Sequence, residues 1–115
     1  MSKQMILPLA SALSITATAI QTPLRCNTTP FQGGQGKSAI LSLNAAVGGS
    51  GVVKVQGNPS PSSTAPASGD AGWVDIVSLS ASSDLQQEIE LPCWIRTNVT
   101  TAGTGTVTIK LEGVQ

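Results

Sequence analysis

The side chains with the most evident capacity for chemistry are Glu88 and Glu90, which lie two positions apart and so share one face of a strand. Paired carboxylates can hydrolyse glycosidic bonds when one of them has a raised pKa, and Asp75 is a third candidate. The chain has no histidine, and only Trp73 and Trp94 offer a broad aromatic platform for a sugar. A solvated strand face explains these acidic residues more simply. We therefore predict no catalytic residues and no enzymatic activity.

Cys26 and Cys93 are the only cysteines. Without histidine they cannot complete a tetrahedral zinc site, and they do not form a C-x-x-C pair. Two alternatives remain: one disulfide in an oxidising compartment, or two reduced thiols with at least one packed in the core. The second is the prediction, and no metal or cofactor is expected.

A glycine-rich segment carries short motifs that match known sites. Gly36-Lys37-Ser38 matches the end of a phosphate-binding loop, but Phe31 stands where the first glycine belongs and a strand follows instead of a helix. Gly33-Gly34-Gln35 matches the release-factor tripeptide, which is too short to indicate that function. The sequons at Asn27 and Asn98 matter only in a secreted chain. The glycine-rich segment is therefore interpreted as a flexible loop.

Composition excludes two kinds of partner. Six basic residues balance six acidic ones without any lysine-arginine cluster, so nucleic-acid binding is not expected. No uninterrupted apolar run approaches ~20 residues, so a membrane-spanning segment is not expected either. Charged residues make up 10% of the chain, against about 25% in ordinary domains, while serine and threonine are abundant. Such a surface suits either a threonine-rich β protein or a chain covered by partners.

Apolar residues alternate with polar ones along most of the chain, which predicts strands. The N-terminal Lys3 and the apolar run 5–10 imitate a secretory signal, but residues 13–20 alternate, so we predict a strand there and keep secretion as the minor alternative. Further strands are predicted near residues 39–45, 52–55, 73–79, 85–91, 93–100 and 105–112. Hairpins are expected between the strands that flank residues 48–51 and between those that flank 101–104.

The predicted fold is a single all-β domain over residues 1–115, an antiparallel β-sandwich of jelly-roll type with about seven to eight short strands. Residues 1–24 form an N-terminal strand or arm, which is either exchanged with a neighbouring subunit or packed as an edge strand of the chain's own sandwich. Residues 57–72 form an exposed loop rich in proline, serine and glycine, because this composition cannot bury enough apolar surface to offset ordering entropy. Shortening that loop is expected to cost little stability. Trp73 and Trp94 are interpreted as core or sheet-packing residues, with a binding role as the alternative.

The second half of the chain, about residues 52–112, resembles the β-sandwich of small tailed-phage capsid decoration (cement) proteins. The residues that carry the resemblance are the segments 53–57 (VKVQG), 72–76 (GWVDI), 95–100 (IRTNVT) and 105–109 (GTVTI). In those proteins a short Asp-Gly turn leads into the tryptophan strand, and here a Pro/Ser insertion expands it. Phage head fibres and tail-connector proteins share the same diffuse features.

The resemblance implies a non-enzymatic virion structural protein, made in the host cytoplasm and located on the capsid surface. Its expected partner is the major capsid protein, whose shell it binds and stabilises. It is expected to be a homo-oligomer, with a trimer favoured over a dimer, in which residues 1–24 contact a neighbour or the shell. The alternative is a carbohydrate- or receptor-binding β module of a phage fibre, a tail-connector protein or a secreted protein.

Overall fold

The structure is a computed structural model that describes residues 4–26, 38–80 and 83–114. Its regular elements in these ranges are all strands, which form two antiparallel sheets packed face to face, so the predicted β-sandwich is confirmed. The strands are β1 (Gln4–Ser14), β2 (Ala19–Ile20), β3 (Leu24–Arg25), β4 (Ser38–Ala45), β5 (Val52–Asn58), β6 (Val74–Leu79), β7 (Ser83–Glu90), β8 (Trp94–Thr101) and β9 (Thr106–Val114). The described residues include no helix that could span a membrane.

The nine strands divide into two sheets. Sheet A has the order β1-β9-β4-β7, and sheet B has the order β2-β8-β5-β6. The short strands β2 and β3 both pair with β8, so together they form one interrupted edge of sheet B. β5 and β6 pair directly, and the Pro/Ser-rich segment connects them.

The core lies between the sheets and follows from the period-two pattern. On the last strand Val107, Ile109 and Leu111 are fully buried, as their alternation predicts. Facing side chains from sheet B close the core, and each fully buried Leu, Ile or Val contributes roughly 1.5–3 kcal/mol. The largest of these sheet B residues are Val53, Val55, Ile95 and Val99.

The predicted strand over residues 13–20 is wrong. β1 ends at Ser14, and the chain then crosses from sheet A to sheet B, which it reaches at Ala19. Ile15 is buried in the core at this crossing, and its backbone N–H donates to the Gly105 carbonyl. Ala17 and Ala19 are exposed although they alternate with polar residues. The apolar run that imitates a signal peptide instead forms most of β1.

The two predicted hairpins are also wrong, because each short link joins strands of different sheets. Residues 46–51 carry the chain from β4 in sheet A to β5 in sheet B, and residues 102–105 carry it back from β8 to β9. Four extended residues span about 13 Å, enough to bridge sheets that lie about 10 Å apart. The two crossings meet in a small bridge, in which the Gly48 N–H donates to the Thr104 carbonyl over 2.8 Å.

Candidate functional site

An edge strand presents unpaired backbone donors and acceptors, and proteins usually protect it with charge, brevity, proline or a bulge. The edge of sheet A formed by β7 is protected by charge. Asp84, Glu88 and Glu90 are exposed on it. Like-charged carboxylates along one strand oppose pairing with a second copy of the same edge.

The two edges of sheet B are protected in other ways. β2 and β3 contain two residues each, and the charged Arg25 is exposed on β3. β6 has six residues, carries the exposed Asp75, and pairs with β5 through a register shift next to Val55. Neither edge offers a long regular row of backbone groups.

The remaining edge, β1, has eleven residues and no charged side chain. Its first part is regular: from Gln4, opposite Val114, to Pro8, opposite Lys110, the register with β9 is uninterrupted. Ile6 lies in the middle of this part with 55% of its surface exposed. Within the described part of the chain, no strand pairs with the outer side of β1.

After Pro8 the β1 edge becomes irregular. The register with β9 shifts once between Pro8 and Ala10 and again between Ala10 and Leu13. Ala12 has φ 47°, a left-handed conformation that is rare for residues other than glycine, and its N–H donates to Thr108 Oγ1 over 3.0 Å. These bulges twist the strand and leave Gln4–Pro8 as the segment able to pair with another strand, in which Pro8 has no N–H and can only accept hydrogen bonds. We call Gln4–Pro8 the open edge.

A group of hydrogen-bonded polar side chains covers the outer face of sheet B. Asp75 accepts hydrogen bonds from Gln56 Nε2 and Lys54 Nζ, both over 2.8 Å. The hydrogen bond from Gln56 and that from Lys54 hold the pKa of Asp75 below its usual value. Gln56 Oε1 in turn accepts from Arg96 Nε over 2.9 Å and from Asn98 Nδ2 over 3.2 Å. The network therefore runs across β6, β5 and β8.

Arg96 fastens this network to the β5–β6 loop. It is 4% exposed, and its burial lowers the pKa of the guanidinium. Its Nη1 donates to the Ser68 carbonyl over 3.1 Å, and its guanidinium carbon lies 4.1 Å from the centre of the Trp73 ring. A guanidinium at that distance is held by a cation–π interaction.

Both tryptophans contact the same loop. Trp73 Nε1 donates to the Ala67 carbonyl over 2.9 Å, and Trp94 Nε1 donates to the Ser62 carbonyl over 3.1 Å. Trp94 is buried, but on the outer side of sheet B, apart from the core between the sheets. Loop carbonyls accept hydrogen bonds from both indole N–H groups, and Arg96 stacks on the Trp73 ring, so this face of sheet B holds the β5–β6 loop.

The structure separates the acidic residues singled out in the sequence. Glu88 and Glu90 lie on sheet A, whereas Asp75 lies on sheet B. Asn98 of the second sequon donates its side-chain amide to Gln56, and the other sequon and residues 31–37 of the glycine-rich segment lie outside the described residues. Within the described ranges, no three His, Cys, Asp or Glu residues are placed to hold a metal ion.

Comparison of the chain with protein-family models, with curated proteins and with solved structures finds no match. Sequence patterns do not reveal the open edge, because an uncharged apolar strand looks alike in the middle of a sheet and at its margin. The one available signal is the absence of charge from residues 4–14.

Proposed function

We propose that this chain is a non-enzymatic virion structural protein that binds the major capsid shell and stabilises it, with the open edge as its principal contact. The observation that carries the proposal is the contrast among the sheet edges. β7 and β6 carry exposed carboxylates and β2 and β3 are short, whereas the open edge is regular and uncharged. The resemblance of residues 52–112 to phage decoration proteins supports the same role.

An extended segment of a neighbouring subunit can add to the open edge as a further strand of sheet A. Main-chain hydrogen bonds supply the affinity in such an addition, and alternate side chains supply the specificity. The five residues of the open edge span roughly 17 Å. Ile6 faces outward there and provides an apolar anchor beside the new strand.

Stabilisation then follows from mass action. A contact that exists only in the assembled shell raises the free energy needed to open it. One strand addition buries less area than the roughly 600–800 Å² per subunit of a specific interface, so a single copy binds weakly. A homotrimer, which we propose as the binding form, engages three sites at once and gains avidity from the linkage.

Co-sedimentation of the full chain with purified empty shells of the encoding virus tests the proposal. The informative variant is Ile6→Lys, which places a charge at the centre of the open edge. Ile6 lies opposite Glu112, so the new ammonium has a carboxylate across the strand pair and the fold should persist. We expect at least a tenfold loss of shell binding, because an edge lysine opposes strand addition.

Val74→Lys is the matched control. Like Ile6, Val74 is exposed (62%) and lies on an edge strand, but this strand is β6 of the other sheet. This variant should bind shells like the parent chain. Equal binding by the two variants, or no binding by the parent, would contradict the proposal. Light scattering at high micromolar concentration tests the trimer separately, and a monomer there would exclude it.

A further inference from the structure

The two cysteines, far apart in sequence, lie next to each other at the edge of sheet B. β3 pairs with β8 so that Leu24 is opposite Ile95 and Arg25 is opposite Trp94. One further step of this antiparallel register places Cys26 opposite Cys93. The backbone agrees, because the Cys26 N–H donates to the Cys93 carbonyl over 2.6 Å.

This backbone pairing is compatible with a disulfide. Residues that face each other in a hydrogen-bonded antiparallel pair have Cα atoms about 5.5 Å apart and side chains on the same side of the sheet. Disulfides join residues whose Cα atoms are about 4.4–6.8 Å apart. No disulfide joins the two residues in this structure, and both are buried. The backbone hydrogen bond between the two residues therefore brings them close enough for a cross-strand disulfide.

We infer that Cys26 and Cys93 are a modification site that forms an intramolecular cross-strand disulfide when the protein meets a disulfide oxidant such as oxidised glutathione. One cysteine thiolate attacks glutathione disulfide and releases one glutathione thiolate. The other cysteine then attacks the resulting mixed disulfide and releases the second. The protein loses two protons and two electrons, and one glutathione disulfide becomes two molecules of reduced glutathione. This inference does not depend on the proposed function.

Burial controls the rate of this reaction. Desolvation, with the neighbouring Cys93 as a second cause, raises the pKa of Cys26 to about 12, so little of its thiolate exists at neutral pH. The thiolate is the nucleophile in disulfide exchange, and the oxidant must also reach a buried sulfur. We therefore expect slow oxidation of the folded protein and fast oxidation during refolding.

The bond would stabilise the fold measurably. Cys26 and Cys93 are 67 positions apart, so the crosslink removes much of the freedom of the unfolded chain. The chain-entropy relation for a loop of this length, applied to a domain of this size, corresponds to a rise in Tm of roughly 10–20 °C.

The experiment refolds the full chain from denaturant in a buffer of oxidised and reduced glutathione, then blocks free thiols under denaturing conditions. We expect no blocked cysteine, an intact mass lower by two hydrogen atoms, and a monomeric chain on non-reducing electrophoresis. Trypsin cuts after Arg25, Lys37, Lys54 and Arg96, so the bond would join peptide 26–37 to peptide 55–96. Reductant should separate the two peptides and lower Tm again.

Cys93→Ala provides the matched control, since Cys26 alone cannot form the bridge. The Tm of this variant should not change with the glutathione ratio. Two blockable thiols in the refolded wild-type chain, a stable glutathione adduct, or a crosslink between chains would each overturn the inference. The wild-type chain alone decides these outcomes, so the test stands even where the alanine variant folds poorly.

Discussion

Replacing Pro61–Gly69 by a four-residue Gly-Ser link tests what the loop over sheet B contributes to stability. The change keeps the base of the loop, where Asn58 donates to Asp70 Oδ1 and the Ser60 N–H donates to Asn58 Oδ1. It removes three backbone acceptors that serve Trp94, Trp73 and Arg96, namely the carbonyls of Ser62, Ala67 and Ser68. Composition alone leads to the expectation that this shortening costs little, and these contacts change that expectation.

The expected loss can be worked out from these contacts. A typical hydrogen bond contributes about 0.5–1.5 kcal/mol net, and one from a charged donor contributes somewhat more, so the three together contribute about 3 kcal/mol. Each 40 Å² of Trp94 surface that becomes exposed adds about 1 kcal/mol. Shortening the β5–β6 connection from 15 to 10 residues returns only about 0.4 kcal/mol of closure entropy. The shortened chain should therefore fold with a free energy of unfolding lower by about 2–4 kcal/mol.

Urea denaturation followed by tryptophan fluorescence and by far-ultraviolet circular dichroism measures this difference. Both tryptophans contact the loop, so the native fluorescence should change as well. The double variant Ser63→Ala with Thr64→Ala is the control, since both residues are exposed and it should stay within about 0.5 kcal/mol of the parent. A shortened chain as stable as this control would refute the reasoning, because the three hydrogen bonds would then contribute nothing.

Three further predictions concern single side chains. Thr97→Val should raise the free energy of unfolding by about 1 kcal/mol in urea titrations, because Thr97 Oγ1 is buried without a hydrogen-bond partner in the described structure. Gly105→Ala should lower it by about 2–4 kcal/mol, since φ is +101° and a Cβ would overlap the Ala46 carbonyl oxygen, whereas Gly69→Ala meets open space and should be neutral. Above about pH 4, the free energy of unfolding of the wild type should exceed that of Asp75→Asn. Because the folded pKa of Asp75 is lowered, that advantage should shrink as acid titration passes below its ordinary value and vanish below the folded one.

Period-two patterning was sufficient to place most strands but not to pair them. The strands predicted over 39–45, 85–91 and 105–112 match β4, β7 and β9 closely. The pattern indicates which face of a strand is apolar. That face becomes buried whether the next strand pairs with it in the same sheet or packs against it from the facing sheet. The links 48–51 and 101–104 were therefore both compatible with hairpins. Only the packing of the two sheets on each other shows that these links cross between the sheets.

The Arg96 network and the cysteine pair depend on strand pairing, which the sequence does not predict. Arg96 and Trp73 meet because β5 lies between β6 and β8, an order that no local pattern encodes. Cys26 and Cys93 meet through the register of a two-residue strand, which is too short to show periodicity. The sequence does show the residue types, and it limits the two cysteines to a disulfide or to packed thiols.

For the proposed contact with a neighbouring subunit, the placement of the N-terminal segment favours strand addition over strand exchange. β1 pairs with β9 in sheet A, and Ile15 is fully buried between the sheets. The Cys26 backbone N–H donates a hydrogen bond to the Cys93 carbonyl at the edge of sheet B. Exchange of residues 1–24 would have to break the first two attachments, and withdrawing Ile15 alone costs roughly 1.5–3 kcal/mol until the partner replaces it. Addition to the outer side of Gln4–Pro8 breaks none of them. An oxidised Cys26–Cys93 bond would fix the far end of the segment covalently, so shell binding that survives oxidation would agree with addition and contradict exchange through Cys26.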